Sequence, residues 1–142
     1  MNFTYSLAKL LNIKDKSFIK ALRTFKGLSH RFEIFLKKKN VTFINDSKAT
    51  SFTASQQALS SLKNIYWILG GLPKRGDKLN ISKLKDNIIK CYIMGNHINF
   101  FKNQIKNKLP FSITKNLNNS LSKIIKDINK QKSINKSILL SP

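Results

Sequence analysis

The chain has 142 residues, 41% of them hydrophobic, which is enough for one packed domain and excludes a disordered or low-complexity protein. A single cysteine, Cys91, excludes an intrachain disulfide and fits a reducing compartment. The net charge of +21 points toward nucleic acid, yet 24 of the 27 basic residues are lysine and three are arginine, whereas readers of bases and phosphates lean on arginine.

Lysine is enriched together with asparagine (16) and isoleucine (18), all three with codons rich in A and T, and the lysines are spread along the whole chain. A solvated basic surface is the expectation, with neither nucleic acid nor a membrane as partner. Apolar runs reach only about five residues against the roughly 20 that a span needs. Lys9 interrupts the N-terminal apolar stretch, and no small-residue cleavage pattern follows, so a cytoplasmic location is expected.

Taken in order, Leu7, Leu10 and Leu11, then Phe18, Ile19, Leu22 and Phe25, fall at helical spacing. They predict two short helices within residues 3–25, broken near Asn12-Ile13-Lys14-Asp15 and stopped at Gly27. Residues 31–36 and 41–45 read as strands of a hairpin turned at Lys37-Lys38-Lys39-Asn40. Thr53 and Gln56 have capping-box spacing for a helix that carries Ala54, Ala58, Leu59 and Leu62. A buried strand follows at 65–69, closed by Gly70-Gly71.

A helix over 82–90 is expected next, burying Leu84 and Ile88. Cys91 lies in a strand over 91–94 that ends at Gly95, as a small core residue rather than a nucleophile. Ile98, Phe101 and Ile105 mark another helix, and 111–113 a short strand. Leu117, Leu121, Ile124, Ile125 and Ile128 form the clearest amphipathic helix, and a last strand spans 137–140. Short apolar strands alternating with helices predict an α/β fold with a mostly parallel sheet covered on both faces.

The chain is organised around Val41-Thr42-Phe43-Ile44-Asn45-Asp46-Ser47-Lys48-Ala49-Thr50. A β-branched strand runs into a small polar turn and then at once into a helix start, the order in which α/β proteins build anion sites at helix N-termini. The same residues also suit an ordinary capped turn.

Three segments carry a resemblance. Gly27-Leu28-Ser29-His30-Arg31-Phe32-Glu33 resembles the Gly-Leu-Pro-His-Arg-x-Glu of the Mur ligase family. Asn45-Asp46-Ser47-Lys48-Ala49-Thr50 matches its Asn-Asp-Ser-Lys-Ala-Thr. Gly70-Gly71-Leu72-Pro73-Lys74-Arg75-Gly76-Asp77 is similar to its Gly-Gly-x-x-Lys-x-x-Asp loop, and Leu139-Leu140-Ser141-Pro142 matches the start of its Leu-Leu-Ser-Pro-Ala-Cys-Ala-Ser. Ser29 replaces the usual proline, and Ser51 replaces a usual asparagine.

The likeness is to the branch that joins D-glutamate to UDP-N-acetylmuramoyl-L-alanine in peptidoglycan synthesis. It implies a Rossmann-like C-terminal domain over residues 27–142, with an initial hairpin, preceded over 1–26 by helices from the end of the central ATP-binding domain.

Carried over residue by residue, the resemblance implies that Arg31 and Asp46 contact the nucleotide. Lys48 and Lys74 would act in catalysis, and Lys48, Thr50 and Lys74 would surround D-glutamate and the transferred phosphate. Read from the residues themselves, His30 packs against or orients the interdomain turn, Asp77 is a helix-approach or loop residue rather than a ligand, and His97, with no motif around it, lies on the surface. ATP and Mg2+ would be held mainly by the central domain, so no metal ligand is assigned here. The sequence contains no Gly-x-x-x-x-Gly-Lys-Ser/Thr phosphate loop.

The expectation is therefore a piece of a ligase, inactive alone, whose partners are the two substrates and the remaining ligase domains. The alternative is a free-standing basic module for nucleic acid or acidic partners.

Overall fold

A computed structural model describes residues 2–130 and 134–141. Pro142, the last residue of the Leu-Leu-Ser-Pro match, lies outside the described residues. Two helices, α1 (Asn2–Leu10) and α2 (Asp15–Thr24), come first. The hairpin β1 (Glu33–Lys38) and β2 (Val41–Asn45) follows, then α3 (Phe52–Ser61), β3 (Ile65–Gly70), β4 (Ile88–Met94), α4 (Ile98–Ile105), β5 (Phe111–Ile113), α5 (Leu117–Asn129) and β6 (Lys136–Leu140). The six strands form one sheet in the order β1-β2-β6-β3-β4-β5, with β1 antiparallel to β2 and every other pair parallel. The mostly parallel sheet opened by a hairpin is thus the architecture that the strand–helix alternation predicts.

β3 shows why a continuous apolar run becomes a central strand. All six of its residues are buried, since helices cover both faces of the sheet there. Successive side chains alternate between faces. Ile65, Trp67 and Leu69 join Phe52, Ala58 and Leu59 of α3 and Phe101 and Ile105 of α4 on one face. Tyr66 and Ile68 join Tyr92, Ile138 and Ile124 of α5 on the other. Each such large side chain contributes about 1.5–3 kcal/mol by leaving water. In α5, Leu121, Ile124 and Ile128 make the buried stripe, while Ile125 falls off it and is half exposed.

Two local expectations are corrected. No helix spans 82–90: a single 3-10 turn at Lys85–Asn87 is followed directly by β4. Leu84 and Ile88 are buried as expected, but Ile88 begins a strand rich in β-branched and aromatic residues. The helix at 52 is capped by Ser51, whose side chain accepts the Ala54 N–H at 3.2 Å, rather than by Thr53. The capping serine lies two residues earlier, so the Thr53–Gln56 spacing falls inside the helix.

α1 and α2 pack on each other through Tyr5 and Phe18, ring centroids 5.3 Å apart, and through Asp15, which accepts from Tyr5 and Lys9. Neither makes an extensive contact with the sheet. Phe3, Leu10, Leu11, Ile19, Leu22 and Phe25 are left exposed.

Candidate functional site

In a parallel sheet the loops after the strands' carboxyl ends share one edge. β2, β6 and β3 are neighbours, so the segments that follow them meet: residues 46–51, Ser141, and the loop that begins at Gly71. Asp46 extends the β2–β6 ladder by donating its N–H to Leu140 O at 2.8 Å. Its side chain is 9% exposed. Oδ1 accepts the Phe32 N–H at 2.9 Å, and Oδ2 lies 3.3 Å from the hydroxyl of Ser141.

Phe32 can make that bond because the segment before β1 is sharply bent. His30 and Phe32 both have left-handed backbone, at φ 64° and 47°, a region that a bulky residue adopts only when its surroundings hold it there. The holding groups are visible. Lys48 N–H donates to His30 O at 3.0 Å, and the His30 N–H donates to Glu33 Oε2 at 2.9 Å. Asn45 Oδ1 accepts the Ser47 N–H, which makes the Asn45 amide nitrogen the donor to His30 Nδ1 at 2.7 Å. The turn before β1 is therefore latched onto the turn after β2.

Gly70 ends β3 where a side chain cannot fit: an added Cβ would stand 2.2 Å from the Met94 carbonyl oxygen. The loop beyond it returns to α3. Asp77 Oδ2 accepts the Phe52 N–H at 2.7 Å, placing a carboxylate at the start of that helix. Asp77 N–H in turn donates to Lys74 O at 3.1 Å. Asp77 thus anchors the lysine loop to α3.

The predicted site residues divide between two recesses at this edge. Arg31, Asp46 and Lys48 line one of about 640 Å³ together with Phe32 and Gln57. Thr50 and Lys74 line a smaller one of about 170 Å³, with Gly70, Gly71 and Asp77. Arg31 lies in the turn before β1 rather than in the strand, and Arg31, Lys48, Thr50 and Lys74 are all exposed beside the buried Asp46. A larger groove of about 840 Å³ runs along the other side of α3, by Gln56, Lys63, Asn80 and Lys83, and holds none of the motif residues.

The donor set of the first recess, a carboxylate with a guanidinium and an ammonium in the same lining, fits the hydroxyls and phosphates of a nucleotide. It does not fit a self-contained magnesium cage. Among the described residues no three carboxylate, imidazole or thiol side chains gather around one point. Cys91 is buried, and burial pushes its thiol well above the ordinary range, consistent with a core residue. Sequence reading missed Ser141, Ser55 and the Phe32 N–H as partners of the Asp46 environment. The only sequence signal for Ser141 was its place in the Leu-Leu-Ser-Pro segment.

A parallel sheet with these loops on its carboxyl edge has relatives of known structure. The fold is similar to a crystal structure of MurF from Acinetobacter baumannii, with a TM-score of 0.69 over 94% of this chain and 32% of that one, at 18% identity. No protein-family model matches the chain. Among curated proteins, the UDP-N-acetylmuramoylalanine–D-glutamate ligase of Rickettsia conorii is 34% identical over 139 residues, 98% of this chain and 28% of that protein. Those of Agrobacterium fabrum and of a Wolbachia from Brugia malayi are 35% identical over 132 residues and 36% over 137.

Over 98% of its length the chain is similar to ligases of the Mur family. Within it, the match is to the C-terminal region of the UDP-N-acetylmuramoylalanine–D-glutamate ligases, and the chain spans under a third of the length of the relatives it matches.

Proposed function

We propose that this chain forms the C-terminal wall of an ATP-dependent ligase that joins D-glutamate to UDP-N-acetylmuramoyl-L-alanine. The observation that carries the reading is the Asn45-Asp46-Ser47-Lys48-Ala49-Thr50 turn at the carboxyl end of β2, with the buried Asp46 and the exposed Arg31 and Lys48 lining one recess.

The chemistry suits these residue types. Such a ligase activates a carboxylate as an acyl phosphate, which the amine of D-glutamate attacks. Asp46 accepts hydrogen bonds from ribose hydroxyls, and Arg31 neutralises phosphate oxygens. Lys48 and Lys74 stabilise charge on the phosphate being transferred, and with Thr50 they hold the carboxylates of D-glutamate. Residues 1–26 belong with the central ATP-binding domain, and their exposed apolar side chains are the surface it covers. ATP supplies the phosphoryl group. Mg2+ would be held mainly by the central domain.

The reading places the protein in the cytoplasm, where the nucleotide-linked substrates are. Among the described residues no helix is long and apolar enough to cross a membrane.

One wall of a cleft does not catalyse. Positioning of both reactants accounts for up to roughly 7–11 kcal/mol of barrier lowering, and most of it is lost when the opposing wall is missing. The test is phosphate release with ATP, magnesium and both substrates. The isolated chain is expected to give none, and adding the upstream ligase domains and the short segment that follows Pro142 is expected to restore turnover. Robust turnover by the isolated chain would overturn the reading.

A further inference from the structure

Asp46 is held partly from a distant part of the chain. Ser141, which follows β6 and is fully buried, sits 95 residues away in sequence. Its hydroxyl oxygen is 3.3 Å from Asp46 Oδ2 and 2.7 Å from the hydroxyl oxygen of Ser55 in α3. Ser55 is fully buried too, and its hydroxyl reaches the Ser51 carbonyl at 3.2 Å. The backbone fixes Ser141 firmly. Its N–H donates to Ile68 O at 3.1 Å, and its carbonyl accepts the Trp67 indole N–H at 2.7 Å.

A serine hydroxyl has one proton to donate. Ser141 therefore faces two acceptors, Asp46 Oδ2 and the Ser55 hydroxyl oxygen, and a proton turned to Oδ2 is what holds the carboxylate.

We propose that the Ser141 hydroxyl forms a relay from the end of β6 to the site: it donates to Asp46 Oδ2 and so keeps Oδ1 on the Phe32 N–H. That the recess lined by Asp46 takes a nucleotide rests on the function proposed above; the relay itself does not. Ser141 does not line the recess, so it acts through Asp46 and is a positioning residue.

The Phe32 amide reports on the relay, because it bonds the oxygen that Ser141 does not touch. Amide hydrogen exchange is measured by NMR on the ligand-free chain for wild type, Ser141→Ala, Ser141→Cys and Ser55→Ala, with the Trp67 amide in β3 as an internal reference. Without the Ser141 donor the carboxylate is held at one oxygen only and turns toward solvent. Ser141→Ala is expected to speed exchange at Phe32 about tenfold relative to Trp67, the size of one hydrogen bond to a charged group.

Ser141→Cys puts a slightly larger, weakly donating thiol in the same place, and a several-fold effect in the same direction is expected even if the alanine variant does not fold. Ser55→Ala removes the competing acceptor, so Phe32 should keep its protection within about twofold. Equal acceleration at Phe32 and Trp67, no change at Phe32 in either Ser141 variant, or the same loss of Phe32 protection in Ser55→Ala would each overturn the relay. The experiment contains no nucleotide, so its outcome is independent of whether Asp46 faces one.

Discussion

Asp46 joins three segments through one side chain: the turn before β1, the start of the turn after β2, and the residue after β6. Replacing it by alanine leaves the buried Ser141 hydroxyl with one acceptor fewer and the Phe32 N–H without its partner. The expected loss is about 1–3 kcal/mol of stability, read as a lower denaturant midpoint with an unchanged slope. Asp46→Asn, which keeps an acceptor for Phe32, should lose less. The identity of this residue was legible in the sequence, because a short motif carried it. Its partners were not, because Ser141 and Ser55 are ordinary residues whose importance comes only from the β2–β6 pairing that brings Leu140 beside Asp46. The left-handed backbone at Phe32 was equally hidden, since a bulky aromatic residue does not signal it.

Among the elements, β3 and β4 dominate, and their close approach rests on one glycine. Gly70→Ala would drive a Cβ against the Met94 carbonyl, a backbone atom that cannot turn aside. A cost of about 1–3 kcal/mol is expected, with the lysine loop displaced. Thermal unfolding and the amide spectrum of 70–77 check both effects.

The opposite face offers a pH test. Lys90 donates to Asp127 Oδ2 at 2.7 Å, as does the Tyr92 hydroxyl, tying α5 to β4. The Lys90 ammonium holds the Asp127 carboxyl below its ordinary range, and the Tyr92 hydroxyl adds to this, against the opposing effect of partial burial. A carboxyl whose folded pKa is depressed stabilises the fold above its unfolded value of about 3.9, and that stability is lost as pH falls through the folded pKa. Asp127→Asn should therefore cost stability at neutral pH, with the gap to wild type closing in acid below about pH 4. Denaturant midpoints across pH 2–7 check it.

Six strands were legible because each carries a short apolar run set off by polar residues or turns. The helix expected over 82–90 was not there because Leu84 and Ile88 have helical spacing but are buried by a 3-10 turn and a strand. A short apolar run does not reveal its period. Ser51 was overlooked as the cap because Thr53 and Gln56 gave a stronger local pattern.

At the scale of the whole molecule, two features stand apart from the compact sheet: the exposed apolar side chains of α1 and α2, and the net charge of +21. The first is the surface that the proposed neighbouring ligase domain would cover. The second is a general property of a lysine-rich chain and does not single out the candidate site. Reconstituted ligase separates site from charge, by comparing Lys48→Ala with Lys126→Ala, which removes an equally exposed lysine from α5 on the sheet's other face. The measurement is D-glutamate-dependent phosphate release by the chain combined with the upstream ligase domains and the segment that follows Pro142. Lys48→Ala should lower turnover by about 10²-fold or more, the usual cost of losing one charge-stabilising group at a transferring centre, while Lys126→Ala leaves it unchanged. Equal turnover in the two variants would contradict the assignment of the Asp46–Lys48 turn to the ligase site.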